Sequence, residues 1–259
     1  MVDRLPGRRI ITVDQRGHGD AAEEHVTADA DFSMARLAAD VEIVLNALSI
    51  NEAIVVGHSW GASVALHAAA VLPDRIRAAV LLDGGLFGPR HLVDDGLDLR
   101  QVREALRPPP LGMLAPALWQ AISAGDLAPY WTSEIQQALD STFRVDSTGR
   151  AFTRIGPDRH MAVLDGLIEY DPATDIAAVC CPVWTVICEP RVDSNADSVS
   201  RAWARAREER AAELPPTFLL QRWSGALHDV PLQWPALVAG LLETVAERTE
   251  PRGNSTPGR

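Results

Sequence analysis

Continuous apolar stretches alternate along this chain with longer segments whose apolar residues repeat at helical spacing. Strands are predicted at residues 9–14, 53–56, 78–83, 182–188 and 217–223. Helical spacing predicts amphipathic or Ala-rich helices at residues 32–48 and 62–71. Strands that lack in/out alternation and are separated by helices are typical of a parallel sheet covered on both faces. The pattern therefore predicts an α/β fold with a mostly parallel sheet and helices on both faces.

A segment of different texture separates the third predicted strand from the fourth. It contains the loop RPPPLG, and its patterns predict helices at 97–106, 113–124, 133–138 and 159–168, with a short extended pair at 143–145 and 151–155. A segment of this length is too long for one crossover connection. The predicted organisation is a discontinuous core (residues 1–87 and 173–248), a mostly helical cap (88–172) and a polar, disordered tail (249–259).

Length, charge and cysteine content narrow the class of protein. A chain of 259 residues can bury a sizeable core, and its net charge of -11 argues against nucleic acid as a partner. Cys180, Cys181 and Cys188 are odd in number and have no CxxC spacing, which predicts reduced thiols in a cytoplasmic protein and no metal site. No apolar stretch is long enough to span a membrane, and nothing indicates an oligomeric state.

A candidate catalytic serine lies at the point where a strand pattern changes to a helix pattern. In GHSWG, Ser59 lies between Gly57 and Gly61. A sharp strand-to-helix turn forces its central residue into a strained conformation, and glycines on either side prevent collisions there. The serine hydroxyl then projects at the carboxyl edge of the sheet, and the backbone N–H of Trp60 is available to a developing oxyanion. The pattern predicts that Ser59 is a nucleophile.

Five motifs, in this order, resemble those of the α/β-hydrolase fold family along nearly the whole chain: VDQRGHGD, GHSWG, AVLLDGG, CPVWTVI and SGALHDVPLQWP. The resemblance implies a serine hydrolase with a helical cap, needing no cofactor, that acts on an ester, thioester, lactone or small amide. Haloalkane dehalogenases and epoxide hydrolases of this fold use an aspartate nucleophile, so Ser59 argues against both. Cofactor-free haloperoxidases and C–C bond hydrolases remain open.

The family's chain order of serine, acid and histidine selects the general base. Of the seven histidines, His228 alone follows the last predicted strand. His18 is interpreted as a structural residue of a turn, and His67 as part of a packed helix. His58 lies beside the serine but is expected to point away from it.

The third member of the triad, the acid, has four candidates in the sequence. The family usually places it just after the strand predicted at 182–188, which makes Asp193 the first choice. Glu189 and Asp197 follow the same strand and are alternatives. Asp83, at the end of the preceding strand, is the other alternative because it lies at the same edge of the sheet.

The substrate is predicted to be a small molecule, with an apolar acyl compound favoured. Trp119 and Trp131 of the cap segment are candidate substrate contacts, although aromatic residues at helical spacing more often pack in a core. A second hypothesis is a non-catalytic or impaired hydrolase-like protein that binds a small apolar ligand.

The front of the chain departs from the family pattern. Family members usually carry, before the DxRGHG turn, a strand that ends in a His-Gly loop whose backbone N–H completes the oxyanion hole. No such strand or loop precedes Arg9. The expectation is therefore that Met1 is not the start of a fully competent enzyme. A second expectation is that residues 10–14 either pair directly with 53–56 or leave a gap in the sheet.

Overall fold

The computed structural model describes residues 2–22, 31–94, 96–108, 112–189 and 198–250. Its strands are β1 (Ala53–His58), β2 (Ile76–Leu82), β3 (Phe143–Val145), β4 (Ala151–Thr153), β5 (Val183–Glu189) and β6 (Phe218–Ser224). Its α-helices are α1 (Met34–Ala47), α2 (Trp60–Val71), α3 (Pro89–Asp94), α4 (Leu99–Ala105), α5 (Ala115–Ser123), α6 (Ser133–Asp140), α7 (Pro157–Glu169), α8 (Pro172–Ala178), α9 (Ser198–Ala212), α10 (Val230–Gln233) and α11 (Pro235–Thr249). Short 3₁₀ turns occupy Val2–Arg4, Gly19–Ala22 and Ala128–Tyr130.

The main sheet has the strand order β1-β2-β5-β6, and every neighbouring pair is parallel. Side chains of β2 and β5 enter two separate cores, one on each face of the sheet. Leu81 and Ile187 pack with helices α2 and α9 on one face, whereas Val80 and Val186 pack with α11 on the other. The predicted α/β class, with a parallel sheet covered by helices on both faces, is confirmed.

The predicted strand at residues 9–14 is wrong. The segment contains no strand residue, and its Ile11 and Val13 side chains are 40% and 52% exposed. Among the described residues β1 pairs with β2 alone, so the expected pairing of residues 10–14 with β1 does not form. The physical reason is that an apolar, β-branched sequence becomes a strand only where a neighbouring strand accepts its backbone hydrogen bonds.

Helices α3 to α7 and the antiparallel β3–β4 hairpin lie in the connection from β2 to β5. This connection contacts the rest of the chain at several places. Helix α3 packs on α9, and Arg154 forms an ion pair of 2.8 Å with Asp20 of the turn before α1. The division into a core and a cap remains a prediction, and residues 251–259 of the predicted tail lie outside the described residues.

No helix in the described part of the chain combines the length and the apolar character that a membrane crossing requires.

Candidate active site

Ser59 occupies a sharp turn between β1 and α2. Its backbone has φ 54° and ψ -122°, a conformation that is strained for a residue with a side chain. A Cβ on Gly57 would lie 2.0 Å from the carbonyl oxygen of Gly61, and one on Gly84 would lie 2.2 Å from the carbonyl oxygen of Ser59. Glycine is therefore required at both positions because another backbone passes too close for any side chain.

Gly61 differs from the expectation for the flanking glycines. A Cβ at this position would meet nothing within 4 Å outside its own helical turn. Its contribution to the turn comes from its carbonyl group, which passes against Gly57. The collision that the sequence motif avoids therefore arises at Gly57 and not at Gly61.

His228 connects the serine to a carboxylate. The residue lies in the loop between β6 and α10, with its Nε2 2.9 Å from Ser59 Oγ and its Nδ1 2.7 Å from Asp83 Oδ2. A carboxylate only accepts hydrogen bonds, so Nδ1–H donates to Asp83 and leaves the bare Nε2 to accept from the serine hydroxyl. Ser59, His228 and Asp83 thus form one hydrogen-bonded chain across residues far apart in sequence.

The carboxylate in contact with His228 is Asp83, where Asp193 was the first choice from the sequence. Asp193 and Asp197 lie outside the described residues. Glu189 is directed elsewhere, because its two carboxylate oxygens accept hydrogen bonds from Arg222 and Ser224. Since the single proton of Nδ1 is donated to Asp83, Asp83 is the candidate acid among the described residues.

Asp83 is fixed by β5 as well as by its own strand. It follows β2 with φ 47°, its N–H donates to Val186 O (2.9 Å), and its Oδ1 accepts the N–H of Cys188 (2.9 Å). Burial and the nearby Asp83 raise the pKa of the Cys188 thiol to about 12, so the thiol stays protonated beside the carboxylate. The hydrogen bond from the Cys188 N–H to Oδ1 fixes the orientation of the Asp83 carboxylate, and with it the position of Oδ2, which faces His228.

The pKa of His228 is raised above its ordinary value. The hydrogen bond to Asp83 is the main cause, burial opposes it, and the charges of Asp83 and Asp229 add to it. The imidazolium form is thus stabilised at this position, which a group that takes a proton from serine requires.

Two further histidines lie at the site. The sequence analysis expected His58 to point away from the site, but its side chain reaches His228. Its Nε2 is 2.7 Å from the main-chain oxygen of His228, and the two rings are 4.8 Å apart. His18 stacks on the Trp60 ring at 5.0 Å, and its Nδ1 donates to Arg16 O (3.0 Å), consistent with a structural turn residue. Burial lowers the pKa of both His58 and His18, which favours the neutral form of each ring.

The remaining candidates are Trp60, Trp119 and Trp131. Trp60 is the first residue of α2, where backbone N–H groups have no acceptor within the helix, so its N–H is free to serve an oxyanion. Trp119 packs edge-on against Phe143, with ring centroids 5.6 Å apart. No ring contact among the described residues joins Trp119 or Trp131 to Trp60 or His228, and the same residues contain no cluster suited to a metal ion.

A parallel sheet that carries a strained serine, a histidine and a carboxylate at the carboxyl ends of its strands defines an α/β protein of the nucleophile-elbow class. Comparison with known proteins gives the family. A family model described as "alpha/beta hydrolase fold" matches residues 1–129. The chain belongs to the α/β-hydrolase fold family, in agreement with the resemblance seen in the sequence.

Relatives with curated names match only part of the chain. Epoxide hydrolase B of Mycobacterium tuberculosis is 34% identical over 105 residues, which cover 36% of this chain and 29% of that protein. The sn-1-specific diacylglycerol lipase ABHD11 of Mus musculus is 35% identical over 83 residues, which cover 32% of this chain and 25% of that protein. The chain thus matches about a third or less of the length of either relative.

Solved structures match over more of the chain. The crystal structure of E-2-(acetamidomethylene)succinate hydrolase superposes with a TM-score of 0.68 at 24% identity, covering 95% of this chain and 84% of that one. At this identity the similarity establishes the fold alone.

Proposed function

We propose that this protein is a hydrolase that cleaves an ester, thioester, lactone or small amide, with Ser59, His228 and Asp83 as its catalytic triad. The observation that carries the proposal is the hydrogen-bonded chain from Ser59 Oγ through His228 to Asp83, with distances of 2.9 and 2.7 Å. Relatives that are named as an epoxide hydrolase and a lipase support hydrolysis as the general reaction.

The first half of the reaction acylates the serine. Ser59 Oγ attacks the carbonyl carbon while His228 Nε2 takes the hydroxyl proton, and Asp83 stabilises the resulting imidazolium through Nδ1–H. The backbone N–H of Trp60 donates to the oxyanion of the tetrahedral intermediate. When the intermediate collapses, the bond to the leaving group breaks and His228 returns the proton to that group.

The second half releases the acid. A water molecule attacks the acyl carbon, His228 takes a proton from it, and the second tetrahedral intermediate forms in the same oxyanion site. Its collapse breaks the bond to Ser59 Oγ, which recovers its proton from His228. The products are a carboxylic acid and the alcohol, thiol or amine released in the first half, and no cofactor is needed.

The identity of the nucleophile separates this proposal from the activity in the name of the mycobacterial relative. An aspartate that opens an epoxide forms an ester, which water can cleave. A serine that opens an epoxide would form an ether, which has no carbonyl group for water to attack. Ser59 therefore favours acyl substrates over epoxides, even though a relative that matches about a third of the chain is named an epoxide hydrolase.

An apolar acyl substrate remains part of the proposal, as does a cytoplasmic location. The support for the location is chemical: Cys180, Cys181 and Cys188 are all free thiols, the state expected in a reducing compartment. Chromogenic esters of increasing acyl length are the direct measurement of substrate preference. The expected result is a rate that increases with acyl length over short chains, whereas a preference for acetyl esters or for charged acyl groups would contradict an apolar substrate.

Covalent labelling tests the proposal without knowledge of the substrate. A fluorophosphonate probe should label Ser59, as located by peptide mass spectrometry, and Ser59→Ala should abolish the label. Ser123→Ala, at a partly exposed serine of α5, is the control and should label like the unmodified protein. A folded protein that binds apolar ligands but takes no label at Ser59 would support the alternative of a non-catalytic binding protein.

A further inference from the structure

His58 links the strand that carries the nucleophile to the loop that carries the base. It is the last residue of β1, immediately before Ser59, and its Nε2 lies 2.7 Å from the main-chain oxygen of His228. A carbonyl oxygen only accepts, so Nε2 carries the proton and donates it. The hydrogen bond joins residues separated by 170 positions in sequence.

Apart from the bonds of the His228 ring to Ser59 and Asp83, the other hydrogen bonds of this loop hold it to β5, β6 and α10. The N–H of Gly225 donates to Glu189 O of β5 (2.8 Å). Gln233 accepts the N–H of Leu227 (2.7 Å) and donates to the carbonyl of Gly225 (3.0 Å), and the N–H of Ala226 bonds to Trp223 (3.1 Å). These bonds fix the shape of the loop relative to β5, β6 and α10, and none of them reaches β1. The bond from His58 ties the main chain of His228 directly to β1, beside Ser59, and so adds a constraint on how far the His228 ring lies from Ser59.

We propose that His58 is a positioning residue, whose Nε2–H donates to the main chain of His228 and so sets the distance between the His228 imidazole and Ser59 Oγ. The inference rests on the proposed function, in which that distance governs proton transfer. A displacement of about 1 Å between reacting groups is enough to lower a rate about 100-fold.

The electrostatics around His58 suit this role. Burial lowers its pKa, and so does the charge of the neighbouring His228, while the hydrogen bond to the His228 main chain and the carboxylates of Asp229 and Asp83 have smaller opposing effects. These are the charged and titratable groups that act on His58, and the net lowering of its pKa favours the neutral ring. A neutral His58 has a single proton, which is already used toward His228, and it adds no positive charge beside the imidazolium formed in the reaction.

Two substitutions of His58 test its hydrogen-bond donor and its side-chain volume separately. His58→Gln places an amide N–H near the position of Nε2, whereas His58→Leu keeps a similar volume without a donor. His58→Leu should lower kcat for a chromogenic ester about 10- to 100-fold with KM within about threefold, because it removes alignment and not binding. His58→Gln should keep kcat within about threefold of the unmodified protein. Thermal unfolding of each variant checks that it folds.

A second readout does not depend on turnover. NMR titration of His228 should give a raised pKa in the unmodified protein and in His58→Gln, and a lower pKa in His58→Leu because the ring no longer keeps its hydrogen bond to Asp83. Equal kcat and equal His228 pKa in all three proteins would overturn the inference, as would equal losses in both variants, which indicate a steric role. Absence of phosphonate labelling and turnover in the unmodified protein would instead refute the proposed function, and the NMR titration would still decide the position of His228.

Discussion

Strands β1 and β2 are neighbours in one sheet but have very different surroundings. Val56 of β1 and Val80 of β2 are partners in the parallel register, yet Val56 is 45% exposed and Val80 is fully buried. Strand β2 has a paired neighbour on each side, whereas among the described residues β1 is paired only with β2. Each strand is nevertheless followed directly by a residue of the candidate triad.

The difference shows that the interior strand organises the site. Asp83 follows β2 directly, and its backbone and carboxylate both bond to β5. Ser59, at the end of the edge strand, is connected to the same centre because its N–H donates to Leu82 O at 3.0 Å. An edge strand can thus present a nucleophile with defined geometry when its last residues are bonded to a buried neighbour.

The largest expected effect is on the residues at the reacting centre. Ser59→Ala and His228→Ala should each lower kcat by about 10⁴- to 10⁶-fold, with the double variant hardly worse than either, because the two groups act as one unit. Ester hydrolysis measured for the three variants at saturating substrate provides the check. Losses that multiply in the double variant would show that Ser59 and His228 act independently.

The next largest effect on kcat is expected at Asp83, the acid that follows the interior strand β2, and it distinguishes Asp83 from the alternative acids. Asp83→Asn should lower kcat about 100- to 10⁴-fold, because an amide donates toward Nδ1 and favours the tautomer that cannot accept the serine proton. The control is Glu189→Gln, at a carboxylate bonded to Arg222 and Ser224, and it should stay within about threefold. If Asp193→Asn loses more activity than Asp83→Asn, the assignment of the acid to β2 is wrong.

The pH dependence follows from the same hydrogen bond. Asp83 raises the pKa of His228, so the imidazole keeps its proton to a higher pH than an ordinary histidine and accepts one from serine only above that pKa. The kcat/KM should rise through an inflection above the ordinary value of 6.5 and fall about tenfold per pH unit below the inflection. A profile that is flat from about pH 5 to 8 would contradict histidine as the base.

Substitutions of Val80 and Val56 are expected to have the smallest effect on the reaction rate. Their effect on the free energy of unfolding compares the two strands most directly. Val80→Ala should lower the free energy of unfolding by about 2 to 3 kcal/mol, because it removes two buried methyl groups and leaves a cavity. Val56→Ala should change it by no more than about 0.5 kcal/mol because its side chain is largely exposed. Urea titration of both variants makes the comparison, and equal losses would mean that the β1 edge is covered in solution.

Much of the fold was predictable from local pattern. The continuous apolar runs identified β2, β5 and β6, and helical spacing identified α1 and α2 to within a few residues at each end. Prediction failed at residues 9–14, where β-branched residues form no strand. The sequence pattern was the same in both cases, and the difference is the availability of a paired neighbour, which is a property of the assembled sheet.

The residues of the candidate site likewise differ in how far the sequence could predict them. The residues GHSWG were enough to predict Ser59, because the steric requirement of a strand-to-helix turn is local. The position of His228 after the last predicted strand was a topological argument, and the structure brings its ring to Ser59. The histidine beside the serine in GHSWG was the available signal for His58, but the direction of its side chain was not predictable from its place at the end of a strand.

The sequence by itself thus determined the α/β class, the strained turn at Ser59 and the candidacy of His228, since each depends on residues near one another in the chain or on the order of elements. Only the tertiary structure decided that Asp83 contacts His228, that Glu189 is engaged by Arg222, and that His58 reaches the His228 main chain. The reason is that several carboxylates follow strands at one edge of a parallel sheet. Which of them meets the imidazole depends on strand order and register, which residues distant in sequence set together.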